Sequence, residues 1–176
     1  MKKEYWLLDE EHSSIVFKVK HMVISTVMGH FPRFQVNATI EDSDVKKGSI
    51  ECIIYPKDVT TNDKYRDNHL VSPELFDVER YQEIRFISED FKRTAKEFHL
   101  KGELTIKDIT KTIEIPVTFL GKNKVNNIER AAFESNFVIN RDDFNLTYTP
   151  LIESGGMVLG NEVSLSVHVT LINKQV

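Results

Sequence analysis

Apolar and polar residues alternate along most of this chain, in eight runs that are separated by short polar turns. In the run around Phe17 and Val19, for example, the apolar side chains share one face, while Lys18 and Lys20 lie on the other. This period of two residues is typical of a β-strand that buries one face. Eight such strands need a common interior, which a long antiparallel meander provides by closing into a barrel. The pattern therefore predicts an all-β fold with a single eight-stranded antiparallel barrel, and a two-sheet sandwich is its competitor.

The alternation stops between residues 59 and 86, where the chain has features of short helices. Asn62 or Asp63 can cap a helix start, and Pro73 after Ser72 is typical of the first turn of a second helix. We therefore expect a short helical insertion around residues 62-76. The segment is rich in side chains that ionise or donate hydrogen bonds: Asp63, Arg66, Asp67, His69 and Asp77.

Size and composition are those of an ordinary globular domain. With 176 residues, of which 40% are apolar and 28% charged, the chain is long enough for one domain, 1-176, with a sizeable core. The net charge is −4, and the sequence has no block of lysine and arginine. Both features argue against a nucleic-acid partner.

The sequence also bears on membrane association. No apolar run reaches the length of a transmembrane helix, so stable membrane insertion is not expected. The apolar residues 5–8 are too few for the core of a signal peptide, and three acidic residues follow at once. We therefore expect a cytoplasmic protein, or a periplasmic one if a leader was removed.

Little in the sequence is typical of a catalytic or metal site. None of the six histidines pairs with another ligand at a spacing known from zinc sites, and Cys52 stands alone in a strand-like run. No nucleophile motif or phosphate-binding glycine loop is present. Asp67 and His69 could form an acid–base pair, but no nucleophile is suggested beside them. We expect no metal, no cofactor and no enzymatic activity.

The inward faces of the predicted strands are rich in phenylalanine, at positions 17, 34, 86, 98, 119, 133 and 137. A packed core explains any one of these residues. The small residues Ala38, Gly102, Ala131 and Ser135 on the same faces leave room that a packed core would tend to fill. An eight-stranded barrel is just wide enough to fill with side chains or to hold one small ligand. The pattern therefore permits a cavity and leaves a packed interior open.

Two polar features have a structural and a functional interpretation. In the cluster Arg66-Asp67-x-His69, Asp67 can anchor Arg66 or His69 and pin the helix over a barrel end by salt bridges. Alternatively, the cluster is a hydrogen-bonding gate for a ligand head group. His21 is in phase with an apolar face, where a histidine is either a satisfied core residue or a head-group contact.

Several local motifs occur in order over nearly the whole chain. They are Trp6-x-Leu8-Asp9-x-x-His12-Ser13, Ser25-x-Val27-x-Gly29-x-Phe31, Thr61-Asn62, Arg66-Asp67-x-His69-Leu70, Phe76-Asp77-Val78, Gly102-x-Leu104-Thr105-Ile106 and Thr110-Lys111. Together they resemble the YceI-like family, and the Arg-Asp-x-His-Leu element is quite specific. The resemblance implies an extended, lipocalin-like β-barrel that binds a polyisoprenoid or a similar long-chain amphiphile in an elongated pore. It also implies a homodimer, because members are often dimeric, and many members are exported to the periplasm.

Carried over by position, the resemblance implies a set of ligand-binding residues. A helical gate at the pore mouth would be held by Arg66, Asp67, His69 and Leu70, with Phe76 nearby as a further ligand contact. The pore itself would be lined by Phe17, Val19, His21, Phe34, Phe86, Leu104, Phe119 and Phe137.

The chain departs from the family pattern in three turns. The family commonly has glycine where this chain has Asp108 and Asn145, and proline where it has Gln82. Asparagine tolerates left-handed backbone, so the turn at Asn145 can survive the change. These departures concern loop geometry more than the fold.

The favoured function is the binding and sequestration or transport of a long-chain amphiphile, such as a polyisoprenoid, an isoprenoid quinone or a fatty-acid derivative. Each buried methylene contributes roughly 0.8 kcal/mol, so a few isoprene units would suffice for micromolar affinity. Two alternatives come from other classes. One is an enzyme that acts on such a compound through Asp67 and His69, and the other is a packed barrel that serves as an interaction module.

Overall fold

The computed structural model of the chain describes residues 3–41, 48–93, 97–148 and 159–174. Its strands form one antiparallel sheet, and the helix α1 (Lys64–Val71) lies between β5 and β6. Short 3₁₀ turns occur at Glu10–His12, Pro56–Asp58 and Arg141–Phe144. The strands are β1 (Glu4–Leu8), β2 (Ser14–His21), β3 (Ser25–His30), β4 (Phe34–Ile40), β5 (Gly48–Ile54), β6 (Ile84–Arg93), β7 (Glu97–Ile106), β8 (Ile109–Val125), β9 (Ile128–Asn140) and β10 (Leu159–Lys174).

The sheet closes as an eight-stranded antiparallel barrel, which confirms the fold predicted from the alternation. Consecutive strands pair from β4 to β10, and β10 returns to β1, whose other edge pairs with β4. The edge of β10 pairs with β2 along residues 159–168 and with β1 along residues 171–174. β1 and β2 therefore share one position in the barrel, and β3 and β4 share the next.

The second shared position, which holds β3 and β4, differs from the strand predicted for this part of the chain. The pattern of residues 22–28 predicts a turn or small helix, followed by one strand from Gly29, whereas the structure has a turn at 22–24 and the separate strands β3 and β4. Pro32 separates β3 from β4 because it has no N–H for the ladder. The Phe31 N–H still donates to the Ile15 carbonyl at 3.0 Å, so the wall continues across the break.

The polar composition of residues 121–127 predicts a loop between two strands, but the connection between β8 and β9 is much shorter. β8 continues to Val125, and Asn126 and Asn127 alone form the turn, with φ values of 50° and 65°. Asparagine accepts this left-handed backbone more readily than most residues, which makes a two-residue hairpin turn favourable here. Asn145 is also left-handed, at φ 56° and ψ 31°, as the sequence predicts.

The helical insertion consists of one helix and a run of turns. Asp63 caps α1, and its side chain accepts a hydrogen bond from the Arg66 N–H at 3.0 Å. Ser72 and Pro73 do not begin a second helix; instead, the Asp77 N–H donates to the Ser72 carbonyl at 2.9 Å. A helix of eight residues is marginal alone and depends on its packing and anchors. Within the described ranges, no helix has both the length and the apolar character needed to cross a bilayer.

Candidate functional site

The barrel encloses a cavity of about 530 Å³. The period of two residues explains its wall, because every second residue of each strand faces inward. In β8, for example, Ile113, Ile115 and Val117 line the cavity, while the residues between them face outward. Most of the lining side chains are aliphatic or aromatic. The chain's own side chains therefore leave an apolar space at the centre of the barrel.

The small residues on the inward faces contribute unequally to this space. Ala38 and Ala131 line the cavity. Gly102 does not add free volume, because an ideal Cβ on it would lie 2.7 Å from Cζ of Phe86. The ring of Phe86 therefore occupies the space above this glycine. The room that Gly102 leaves is therefore filled by a side chain of the protein itself.

One end of the cavity is covered by residues 60–78, which we call the lid segment. Leu70, Leu75 and Phe76 of this segment line the cavity. The ring of Phe76 packs edge-on against Phe31, with centroids 5.9 Å apart, and Phe31 in turn packs against Phe17 on β2 at 5.3 Å. The apolar side of the lid segment thus continues the cavity wall across this end of the barrel, which we call the lid end.

Arg66 and Asp67 fasten the helix to the start of the lid segment. The Asp67 carboxylate accepts hydrogen bonds from the N–H and the hydroxyl of Thr61, at 2.8 and 2.6 Å. The Arg66 guanidinium donates to the hydroxyl and the carbonyl of Thr61, at 2.8 and 3.0 Å. Backbone hydrogen bonds between Thr60 and His30 then tie the segment to β3. Arg66 and Asp67 therefore anchor the helix, as the structural interpretation of the Arg66-Asp67-x-His69 cluster predicts. Their shared partner is Thr61, which lies outside that cluster.

His69 contacts the other side of the lid end. Its Nε2 lies 2.6 Å from the Glu74 carboxylate, and its ring packs edge-on against Tyr148, with centroids 4.4 Å apart. Asp67 and His69 have separate partners, so the structure does not assemble them as an acid–base pair. They are two residues apart on α1, and such positions do not face each other.

A buried arginine lines the cavity at the lid end. Arg141 donates to the carbonyl oxygens of Gly160, Tyr148 and Leu159, at 2.8, 3.0 and 3.2 Å, and also to that of Leu146. Burial lowers the pKa of its guanidinium below the ordinary value, although the neighbouring Asp142 carboxylate opposes this effect. The arginine thereby ties the end of β9 to the start of β10 beside the lid segment.

The opposite end of the cavity, which we call the far end, is more polar. Glu4 and Lys122 line it together with Trp6, whose indole N–H donates to Glu4 at 3.3 Å. The Lys122 ammonium lies 5.4 Å from the centre of the Trp6 ring and forms an ion pair with Glu129 at 2.5 Å. Phe119 also lines this end and is 39% exposed, so the wall reaches solvent here.

Cys52 faces the cavity from β5. Burial raises the pKa of its thiol to about 12, and the nearby Glu51 carboxylate adds to the effect. The thiol is therefore protonated at neutral pH. This environment agrees with the interpretation of Cys52 as a small apolar wall residue, since the thiolate is the reactive form of cysteine.

The structure brings eight of the thirteen sequence-predicted ligand contacts to the cavity wall. These eight are Phe17, Val19, Leu70, Phe76, Phe86, Leu104, Phe119 and Phe137. The other five lie elsewhere. Phe34 is buried in the core cluster at the start of β4, and His21 is the last residue of β2. Arg66, Asp67 and His69 bond within the lid segment, as described above. Ligand contact by any of the thirteen stays a prediction.

Several wall residues have no distinctive sequence signal. The aliphatic ones, such as Ile115 and Leu165, follow from the alternation as inward residues but not as cavity residues. Lys122 faces inward because the register between β8 and β9 shifts between Phe119 and Gly121, which moves the alternation by one residue. A bulge of this kind is not visible in the sequence. Within the described part of the chain, no three His, Cys, Asp or Glu side chains are placed to hold a metal ion.

Comparison with known sequences gives consistent results. The family model for the YceI-like domain matches residues 6–171. A UPF0312 protein of Staphylococcus epidermidis is 31% identical over 157 residues, which cover 88% of this chain and 90% of that protein. A UPF0312 protein of Staphylococcus aureus strain MW2 is 29% identical over the same shares of the two chains.

Solved structures share the fold. BcnA of Burkholderia cenocepacia has a TM-score of 0.81 at 21% identity, over 93% of this chain and 98% of that one. The Campylobacter jejuni YceI protein has a TM-score of 0.74 at 26% identity, over 90% and 91%. A polyisoprenoid-binding domain from Saccharophagus degradans has a TM-score of 0.71 at 13% identity, over 94% and 97%. Since the family match covers nearly the whole barrel, this chain belongs to the YceI-like family.

Proposed function

We propose that this protein binds one long-chain amphiphile in its barrel cavity and keeps the apolar chain out of water. The observation that carries the proposal is the apolar cavity of about 530 Å³. This volume lies within the range of roughly 300–1,000 Å³ that is usual for small-molecule sites. Its wall offers many apolar contacts and few polar ones, which suits a hydrocarbon chain.

The free energy of an empty cavity supports a ligand over a vacant interior. A dry apolar cavity is unfavourable, because the side chains that line it lose packing contacts on one side. Water is a poor alternative occupant because an apolar wall offers it few hydrogen-bond partners. The cavity itself weighs against a fully packed interaction module.

The ligand class is a long, largely apolar chain with a small polar head. A polyisoprenoid, an isoprenoid quinone and a fatty-acid derivative all meet this description. The description of the Saccharophagus degradans structure as a polyisoprenoid-binding domain favours the first of them. An apolar wall discriminates weakly between such chains, because one methylene changes affinity only slightly. We therefore propose a class of ligand, a long apolar chain with a small polar head, and not a single compound.

We also infer that the protein performs no chemistry on this ligand, and that it sequesters or transports it. The separate hydrogen-bond partners of Asp67 and His69 support this inference over the enzyme alternative. The homodimer and the cytoplasmic location stay predictions. Size-exclusion chromatography with light scattering would measure the first, and fractionation of the host cells the second.

The test is native mass spectrometry of protein purified from its own host, with uptake of an added fluorescent fatty acid as a second measurement. Ala131→Phe is the test variant, because Ala131 faces the cavity near the far end. Ala132→Phe is its matched control, since the next residue on a strand faces outward. We expect a discrete bound amphiphile in the native protein, and uptake that falls at least about tenfold in Ala131→Phe alone. An empty protein without uptake would overturn the proposal, as would equal uptake by the two variants.

A further inference from the structure

The hairpin between β2 and β3 ends in an exposed apolar tip. Met22, Val23 and Ile24 form its turn, and they are 48%, 69% and 88% exposed. Met28, on the outward face of β3, is exposed as well and is paired with Lys18 of β2. Single exposed apolar residues are common on protein surfaces, but three in succession at one tip form a patch that marks an interaction surface.

The backbone of the tip shows that polar residues would fit this turn better. Met22 and Val23 are both left-handed, with φ values of 52° and 68°. This conformation is unfavourable for a β-branched residue such as Val23. The β8–β9 turn of the same barrel has two left-handed residues as well, but both are asparagine. Of these two turns, the β2–β3 turn therefore has apolar residues in an unfavourable backbone conformation, and their side chains are exposed.

The hairpin is also basic in an acidic protein. The net charge of the chain is −4, yet no aspartate or glutamate occurs from Ser13 to Ile40. Lys18 and Lys20 lie on the exposed face of β2, and neither forms an ion pair within the described residues. Glu162 of β10 directly precedes Val163, the partner of Val19, but it forms no ion pair with these lysines within the described residues. The tip therefore combines exposed apolar side chains with unneutralised positive charge.

The tip lies close to the lid end of the cavity. Val19 of β2 lines the cavity, as does Leu159, which pairs with His21 at the end of the same strand. β2 ends at His21, and the turn residues Met22, Val23 and Ile24 follow it directly. A surface that contacts the tip would therefore lie beside the lid segment.

We propose that the β2–β3 hairpin docks the protein on the surface of an anionic phospholipid bilayer. Met22, Val23 and Ile24 enter the interface between head groups and acyl chains, and Lys18 and Lys20 contact the anionic head groups. Docking brings the lid end of the cavity to the membrane. The proposal rests on the proposed function, because a membrane is where a long-chain amphiphile is taken up or delivered. In a two-fold contact between hairpins, the lysines of one copy would face those of the other, so the positive charge favours an anionic bilayer over such a pairing of two copies.

The experiment is co-sedimentation of the full chain with phosphatidylcholine vesicles, with and without phosphatidylglycerol. We expect the native protein to bind the anionic vesicles more tightly, and added salt to weaken that binding. The test variant is Val23→Asn with Ile24→Asn, because both changes remove exposed apolar side chains and asparagine suits the left-handed backbone at Val23. It should bind at least about tenfold more weakly. Lys18→Gln and Lys20→Gln should each weaken binding about fivefold.

The control is Val125→Asn, which changes an exposed valine at the far end and should bind as the native protein does. The docking proposal is overturned if the native protein does not bind the anionic vesicles, or if the control loses binding as much as the tip variant does. It is also overturned if the tip variant has a changed oligomeric state but binds the vesicles as the native protein does. Uptake of a fluorescent fatty acid from solution separates the two proposals. The tip variant should take up the fatty acid as the native protein does. If the native protein takes up none, the proposed cavity function is contradicted and the docking proposal is not.

Discussion

Glycine and phenylalanine are matched across neighbouring strands of the barrel. An ideal Cβ on Gly102 would lie 2.7 Å from Cζ of Phe86, and one on Gly29 would lie 2.8 Å from Cε1 of Phe17 and closer still to its Cζ. Each ring therefore lies over the backbone of the adjacent strand, where a larger residue than glycine would displace it. This placement keeps two large side chains against the wall, and it helps to explain how a barrel rich in phenylalanine retains a cavity.

The pH dependence of Cys52 reactivity reports on the cavity wall. A thiol with a pKa of about 12 forms the reactive thiolate far less readily than an exposed thiol with a pKa of about 8.5. Because the pKa is raised, alkylation by iodoacetamide should be very slow at neutral pH and should still rise about tenfold per pH unit between pH 9 and 11. Labelling followed by mass spectrometry measures this rate, with the urea-unfolded protein as the control. A rate that levels off near pH 9 would show that Cys52 is exposed.

At the scale of elements, the lid segment depends on one threonine. Thr61 is buried, and its hydroxyl contacts both Asp67 and Arg66. Among the residues that the structure describes, the hydroxyl of the neighbouring Thr60 bonds only to Asn62, whose exposed N–H donates to it at 3.2 Å. The two threonines therefore have very different roles in holding α1, although they are adjacent in the sequence.

Thr61→Val should loosen the lid segment while keeping the shape of the side chain. A hydrogen bond to a charged group contributes about 1.5–3 kcal/mol, so loss of the one to the half-buried Asp67 carboxylate should let a bound fluorescent fatty acid leave at least about fivefold faster. Stopped-flow measurement of ligand release and hydrogen exchange of the α1 amides test this. Thr60→Val is the matched control and should release ligand at the native rate. Equal rates in all three proteins would mean that the lid segment does not limit release.

The strands and the helix could be predicted from the sequence where neighbouring residues alone determine them. Residues 163–171 alternate regularly and lie within β10, and Asp63 is recognisable as a helix cap. The β2–β3 hairpin is different, because its exposed apolar tip interrupts the alternation that reveals a strand. The inward position of Lys122 depends on the register of β8 against β9, which involves residues distant in the sequence. The cavity itself follows from packing among all strands, so the sequence permits it but does not establish it.

At the scale of the whole molecule, closure of the barrel is reinforced at the junction of β1 and β2. The Asp9 N–H donates to the Thr170 carbonyl at 2.8 Å, and the Asp9 carboxylate bonds to Arg130 of β9 at 3.0 Å and to His12 at 3.1 Å. The carboxylate is only 8% exposed. Burial by itself would raise the pKa of Asp9, but the hydrogen bonds from His12 and Arg130 lower it below its ordinary value.

Asp9→Asn should therefore destabilise the barrel in a pH-dependent manner. The folded state has the lower pKa, so the carboxylate contributes stability above the unfolded pKa near 4 and loses it as the pH falls through the folded value. We expect a loss of about 1–2 kcal/mol at neutral pH, and a gap that shrinks below about pH 4. Urea unfolding at several pH values measures both quantities. A gap between the two proteins that stays constant from neutral pH to below pH 4 would contradict the assignment.

The strand order has a consequence for how the protein is made. β10 pairs with β1, β2 and β9, and so it joins the first described strands to one of the last. While a ribosome is still producing β10, β1 and β2 lack that partner, and no shorter nascent chain can close the barrel. Contacts that span nearly the whole chain also slow folding. The nascent protein must therefore hold apolar strand faces and unpaired edges in water until synthesis reaches β10, and during that interval it depends on chaperones more than the finished barrel does.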